Sequence, residues 1–414
     1  MTKTVAIVGA GIVGVSTAIW MQREGHKVIL IDKAGPGEGA SHGNGGVLAS
    51  CSMVPITVPG LLHKAPRMLF SPNMPLFLKW SYLPKLLPWL SKYLSHANET
   101  DVKRIAKAVS EIVGDSLAEH QALAAGTGAE HFIVPADYLF LYRDRAHFEE
   151  DAFGWSIRAD CGFEWEELEG PAVAAYDSGY SADIGFAARL KNHGRITDPG
   201  RYVKALAAHA TATGAEFIQA EVHRINRTGD GPPLLETSNG PIEADDILIA
   251  TGAWSKPLAD QLGLNVPLES ERGYHLELWE PNFMPRSPVM VASGKFVVTP
   301  MEGRIRLAGV VEFGGLEAPP SRAPLELLKR NIRAAMPDLT WKREVEWMGH
   351  RPAPSDSIPA IGPVPGVKGA WLGFGHHHIG LTGGPKTGRL LAQMISAKKT
   401  NLDLSPFSAA RFQQ

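Results

Sequence analysis

Apolar residues near the start of the chain fall into two runs, 5–8 and 26–31, the second closed by Asp32. Runs that are apolar without alternation suit strands covered on both faces, so both predict buried parallel strands. The small-residue stretch between them predicts a helix, which completes a βαβ unit. Farther on, residues 99–127 carry helical spacing with mixed charge, and 138–142 alternate as a strand does. Residues 185–196 read as a connection. Thr197, Asp198 and Pro199 then cap a helix running to about residue 213, followed by strands at 216–225 and 243–250. Residues 274–278, 295–299 and 304–308 predict strands of one antiparallel sheet. A helix spans 385–396, and the chain from Asp403 reads as a loose tail.

The turn inside the βαβ unit brings in chemistry. Gly9, Gly11 and Gly14 stand in G-x-G-x-x-G spacing directly after the first strand, and Asp32 ends the second. Gly9 permits the tight turn, Gly11 lets backbone approach a pyrophosphate, and Gly14 lets the helix pack on the strand. The helix N-terminus, at Ile12 and Val13, then faces the phosphates, and Asp32 accepts from a ribose, with Lys33 beside it. A dinucleotide site follows.

A second glycine-dense segment, residues 39–48, comes next and carries Ser41, Asn44, Gly45, Gly46 and Val47. A simple NAD unit would pass straight to its next element, whereas a second close backbone approach suits a flavin lying over the loop. The pattern resembles the D-amino-acid oxidase and dehydrogenase superfamily of flavoproteins. The resemblance implies an FAD-binding Rossmann-like α/β domain of the D-amino-acid oxidase type, with a second α+β substrate domain built on an antiparallel sheet. It places the cofactor domain at 1–59, 186–267 and 346–414, and the substrate domain at 60–185 and 268–345. It also puts the turn after residue 250, with Thr251, Gly252 and Trp254, close to the dinucleotide, and Val222 near the adenine.

Composition narrows the class. At 414 residues, 44% hydrophobic and 20% charged, the chain can bury a large core in two domains. A net charge of −2 supplies no field to recruit nucleic acid. With Cys51 and Cys161 alone, a disulfide framework, a four-cysteine metal site and a C-x-x-x-x-C redox pair are all excluded. The cysteine usage suits a reducing cytoplasm, the first apolar run reads as a strand and not as a signal peptide, and no window predicts a transmembrane helix.

One segment departs from this composition. Residues 39–98 contain no Asp or Glu, while Lys64, Arg67, Lys79, Lys85 and Lys92 sit among Phe70, Phe77, Trp80, Tyr82, Trp89 and Tyr93. The stretch 60–95 has two readings. It is either a basic aromatic surface for peripheral contact with an anionic membrane and entry of a quinone, or an insertion packed on the protein's own substrate domain.

The C-terminal block carries further candidates: Gly349-His350-Arg351-Pro352, Pro359-Ala360-Ile361-Gly362-Pro363, and Gly373-Phe374-Gly375-His376-His377-His378-Ile379-Gly380. These look like the G-x-R-P, P-x-I-G-P and G-H-x-x-x-G signatures of the amino-acid-oxidising branch. The resemblance makes Arg351 the clamp for a substrate carboxylate, a role its rigid fork of donors fits. It sets Tyr274 near the substrate as a second carboxylate donor, His378 facing the substrate, and His376 ordering the loop. Consecutive histidines splay their side chains and lack metal-ligand spacing, so no metal site is expected. Gly375, Gly380, Leu381 and Thr382 should bring the last helix to the flavin, where its dipole stabilises negative charge, with Lys386 available as a basic neighbour.

The function implied is oxidative deamination of a D-amino acid. Hydride passes from Cα to the flavin of non-covalently held FAD, and electrons pass to a quinone-type acceptor. Alternatives are a D-hydroxyproline or other secondary-amine dehydrogenase or oxidase using oxygen, and a non-catalytic FAD-binding subunit of a multi-component dehydrogenase.

Overall fold

The computed structural model describes residues 2–61, 75–226 and 233–413. Lys64, Arg67 and Phe70 of the basic aromatic segment lie outside them. A six-stranded sheet runs in the order Ala360–Pro363, Ala370–Phe374, Asp246–Ile249, Thr4–Val8, Lys27–Asp32, Glu216–Gln219, with only the first strand antiparallel to its neighbour. Alternate side chains of its first strand enter different cores. Val5 and Ile7 join the helices Ile12–Arg23, Pro199–Ala212 and Gly380–Ile395, whereas Ala6 and Val8 face Ile225, Leu235 and Leu258. That two-sided burial is why the strand reads as an unbroken apolar run.

The second sheet has ten strands. Its main path is Arg343–Pro354, Leu268–Trp279, Arg304–Phe313, Phe296–Met301, Val289–Val291, Ile133–Tyr142, Phe186–Ile196, Val47–Leu48. The expected strands in the 274–308 region are present and antiparallel, but the sheet is mixed: Val289–Val291 runs parallel to its partner at 139–141, and Leu76–Leu78 runs parallel to its partner at 311–313. The helix after Asp198 begins as expected, its side chain accepting from Arg201 N–H at 3.0 Å.

Five expectations need correction. Residues 186–196 are a strand of the large sheet and not a connection, because they pair along Ile133–Tyr142. Residues 346–354, placed with the cofactor domain, pair with the strand Leu268–Trp279. The helices Glu99–Val113 and Ser116–Ala124, placed with the substrate domain, turn Val102, Ile105, Ile112 and Leu123 into the same core as Val5 and Ile7. The strand expected over 216–225 is two strands in different sheets, Glu216–Gln219 and Val222–Asn226. The last helix starts at Gly380, five residues early, with Pro385 inside it. Pro385 cannot donate to Leu381 O, and His120 Nε2–H takes that acceptor at 2.9 Å.

In the basic aromatic segment the aromatics mostly turn inward. Trp89 donates its indole N–H to Ala353 O at 2.9 Å and packs between Tyr93 and Phe313. Trp80 and Leu87 are exposed, as are Lys85 and Lys92, while Lys79 reaches Pro319 O. Among the described residues no helix is long and apolar enough to cross a membrane.

Candidate active site

A cavity of about 980 Å³ runs from the turn at Gly9 and Gly11, past Asp32 and Val222, along the face of the ten-stranded sheet to Arg351. The turn is set by glycine. At Gly9 φ is +109° and a Cβ would stand 2.4 Å from Ala250 O; at Gly14 a Cβ would stand 1.9 Å from Gly9 O. No side chain replaces them. The helix Ile12–Arg23 starts at Gly11 without a cap from that residue, and Ser41 Oγ accepts from Ile12 N–H at 3.0 Å. Asp32 is committed on both oxygens: Oδ2 accepts from Ala10 N–H, and Oδ1 from Ala34 and Gly35 N–H. The carboxylate therefore fixes the turn as well as facing the cavity. Lys33 lies over the Trp254 ring, 5.0 Å from its centroid, and both line the same end.

The glycine-dense loop is pinned against the large sheet from behind. His275 donates from Nδ1 to Gly43 O at 3.0 Å, and Arg306 donates to the carbonyls of His42 and Asn44. Arg306 and Arg304 share the Glu277 carboxylate, which they hold down to about 2 against the upward push of its burial. The loop offers Ser41, Asn44, Gly45 and Val47 to the cavity. Gly46 sits behind the wall, where a Cβ would meet Met301 at 2.6 Å.

At the far end Arg351 lies on the cavity wall, its guanidinium over Gly273, where a Cβ would come within 2.6 Å of Cζ. Nη1 donates to Val310 O at 3.2 Å; among the described residues Nε and Nη2 form no hydrogen bond to protein. Burial lowers the Arg351 pKa and Glu271 opposes that shift. The last helix opens here too. Its N-terminus has no side-chain cap, and Gly380, Leu381 and Thr382 line the cavity.

Of the sequence candidates, Gly14, Gly46 and Gly375 do not reach the wall and act by close packing; a Cβ at Gly375 would meet Pro354 at 2.7 Å. Thr251, Gly252 and Trp254 line it, as do Ile12 and Val13. Tyr274 lines it, but its hydroxyl donates to Glu312 at 2.6 Å and accepts from Ser321 N–H, so its proton is engaged and not offered to a second ligand. Lys386 points away and pairs with Asp115. His376 contacts Thr387 Oγ1 at 2.9 Å, inside the last helix. His378 opens onto the cavity, its pKa lowered by burial and then by His377. No group of three His, Cys, Asp or Glu side chains able to hold a metal occurs among the described residues.

Sequence reasoning missed Glu271, His377 and Trp347. Glu271 is 2% exposed, lies directly opposite Arg351 in strand register, and borders the cavity. The available signal was a strand, E-S-E-R-G-Y-H-L-E-L, carrying far more charge than a buried strand tolerates without partners.

The cavity fits an extended dinucleotide: two helix N-termini without side-chain caps of their own face it, and Gly11 leaves its side open except for Ser41 Oγ at 3.3 Å. The family described as FAD dependent oxidoreductase (DAO) matches residues 4–394. A protein of Bradyrhizobium diazoefficiens named D-amino-acid oxidase is 39% identical over 417 residues, covering 99% of both chains. One of Paramagnetospirillum magneticum named D-amino acid dehydrogenase is 28% identical, covering 99% of this chain and 98% of its own. Among solved structures, glycine oxidase from Geobacillus kaustophilus is similar with a TM-score of 0.77 at 22% identity, covering 99% of both chains. The chain belongs to the DAO family of FAD-dependent oxidoreductases, and FAD is its cofactor.

Proposed function

We propose that the protein oxidises D-amino acids to imino acids, and that Arg351 holds the substrate carboxylate. The observation that carries this reading is the Arg351 fork, with Nε and Nη2 free of acceptors among the described residues, on the cavity wall beside the uncapped start of the helix Gly380–Ile395. A guanidinium so placed offers a planar pair of donors to a carboxylate and fixes the Cα hydrogen in one direction. FAD supplies the two-electron acceptor for that hydrogen. Around it, Val222 would take the adenine, Asp32 the ribose, Gly11 to Val13 the pyrophosphate, and Leu381 and Thr382 the flavin edge where negative charge gathers. His378 would face the substrate. Neither cysteine lines the cavity, which suits non-covalent FAD.

The acceptor read from the sequence is a quinone. Val54, Ile56, Leu61, Leu83, Leu86 and Leu90 on the cavity wall suit an apolar acceptor. Exposed Lys85, Lys92 and Trp80 leave a small patch for peripheral membrane contact. A second reading, oxygen as acceptor, is favoured by the 39% identical relative named as an oxidase. Reoxidation of the substrate-reduced protein by a soluble quinone, compared with reoxidation by air, separates the two. Anaerobic reduction by D-amino acids tests the reaction itself.

A further inference from the structure

We propose that His378, His377 and Glu271 form a proton-accepting chain that takes the ammonium proton of the bound amino acid, with His378 the member that touches it. This rests on the reading of Arg351 as the carboxylate anchor. An amino acid reaches the site at neutral pH with its nitrogen protonated. Cα–H transfer requires a nitrogen lone pair to form the C=N bond, so one proton must leave first.

The three side chains lead from the cavity to a buried carboxylate. His378 opens onto the cavity, and its Nδ1 lies 2.7 Å from Nδ1 of His377. Nε2 of His377 lies 2.9 Å from Glu271 Oε1, and both side chains are almost wholly buried. Among the described residues neither Glu271 Oε2 nor His377 Nε2 has a hydrogen-bond partner, so the contact between them is an ion pair. His377 is held at φ +53°, a left-handed conformation that a non-glycine residue adopts at a cost. That turn sends two consecutive rings along one line, 5.0 Å apart at 77°.

Around the His378 ring, burial, His377 and Arg351 oppose a positive charge and Glu271 favours one, so the Glu271 carboxylate is the group that lets the ring take a proton. Glu271 faces Arg351 across the strand pair, His377 and His378 from the loop before the last helix, and Glu269 and Tyr93 from its other neighbours. Burial pushes the Glu271 carboxyl up, yet His377 and then Arg351 outweigh it and hold it ionised. In the step proposed, one N–H bond of the ammonium breaks and one forms on the His378 ring. The added positive charge spreads through the Nδ1 contact to His377, against the Glu271 carboxylate. No electrons move, and the proton returns to solvent as the product leaves.

The test is the pH profile of anaerobic flavin reduction by D-alanine in the FAD-loaded protein. Glu271→Gln keeps the volume and removes the charge. We expect its reduction rate to fall about 10²-fold near neutral pH. The loss should shrink steadily as alkaline pH strips the ammonium without help, so the acid limb moves up by about one pH unit or more. His378→Asn, on the cavity surface and not in the buried pair, should show the same shift with FAD affinity retained. A loss of equal size at every pH in both variants, or a neutral rate within about twofold of the parent, overturns the chain while leaving the Arg351 reading intact. A parent protein reduced by no D-amino acid overturns both.

Discussion

Gly43, in the loop between Asp32 and Val47, is in direct contact with Trp347 of the ten-stranded sheet: a Cβ at Gly43 would stand 1.9 Å from Trp347 Cζ3. His275 stacks on the same indole, centroids 5.0 Å apart at 19°, and donates to Gly43 O. The loop of the cofactor site is thus set by two strands of the ten-stranded sheet. Gly43→Ala forces the loop off the indole, at a cost of about 1–3 kcal/mol typical of overpacking. FAD affinity, followed by flavin fluorescence titration, should weaken about tenfold or more. Adding Trp347→Ala to that variant should restore most of it. Parent-like affinity in Gly43→Ala would show that the loop adjusts freely.

Arg351 separates substrate binding from cofactor binding. Arg351→Ala should leave the flavin absorption spectrum nearly unchanged and lower kcat/KM by about 10³, the loss expected if two charged hydrogen bonds together contribute about 4 kcal/mol. Arg351→Lys should recover only part of that, because an ammonium lacks the planar fork. Steady-state kinetics checks both. Turnover near that of the parent in Arg351→Ala would remove the residue from the site.

What could be read from the chain follows from how local each signal is. Gly9, Gly14 and Asp32 act within one βαβ unit, so spacing alone places them, and the structure puts Gly9 and Asp32 at the cavity with Gly14 packed behind it. Arg351 was found through its motif. Glu271 was not, because its meaning depends on register with Arg351 and on the approach of His377 from a distant loop. The strand Phe186–Ile196 escaped for a similar reason. Its buried and exposed positions do not alternate regularly, Asn192 breaks it at φ +60°, and its pairing partner, Ile133–Tyr142, is far away in sequence. The split of 216–225 lies at Ala220 and Glu221, where the chain leaves one sheet for another with no proline or glycine to mark it.

Glu277 makes stability depend on acid. Its folded pKa of about 2 lies below the ordinary value of 4.5, so the unfolded chain binds the proton more readily. The stabilisation is complete above the unfolded pKa and is lost as pH falls through the window from 4.5 toward 2. Glu277→Gln leaves Arg304 and Arg306 buried without their shared counter-charge, a change that costs about 3–5 kcal/mol in comparable buried pairs. Thermal melts should show a lower Tm at pH 7 and a flatter dependence on pH below 4.5. An unchanged Tm and an unchanged acid slope would show that the network contributes nothing.

This FAD-dependent site is proposed to take electrons from the Cα–H of D-amino acids anchored on Arg351. The most direct test is anaerobic flavin absorbance in the purified protein against matched D- and L-amino acids, with Arg351→Ala alongside. D-amino acids should bleach the flavin of the parent, their L-enantiomers should not, and Arg351→Ala should bleach far more slowly with its oxidised spectrum intact. A flavin that stays oxidised with every D-amino acid, or that L-amino acids reduce in preference, would contradict the proposal.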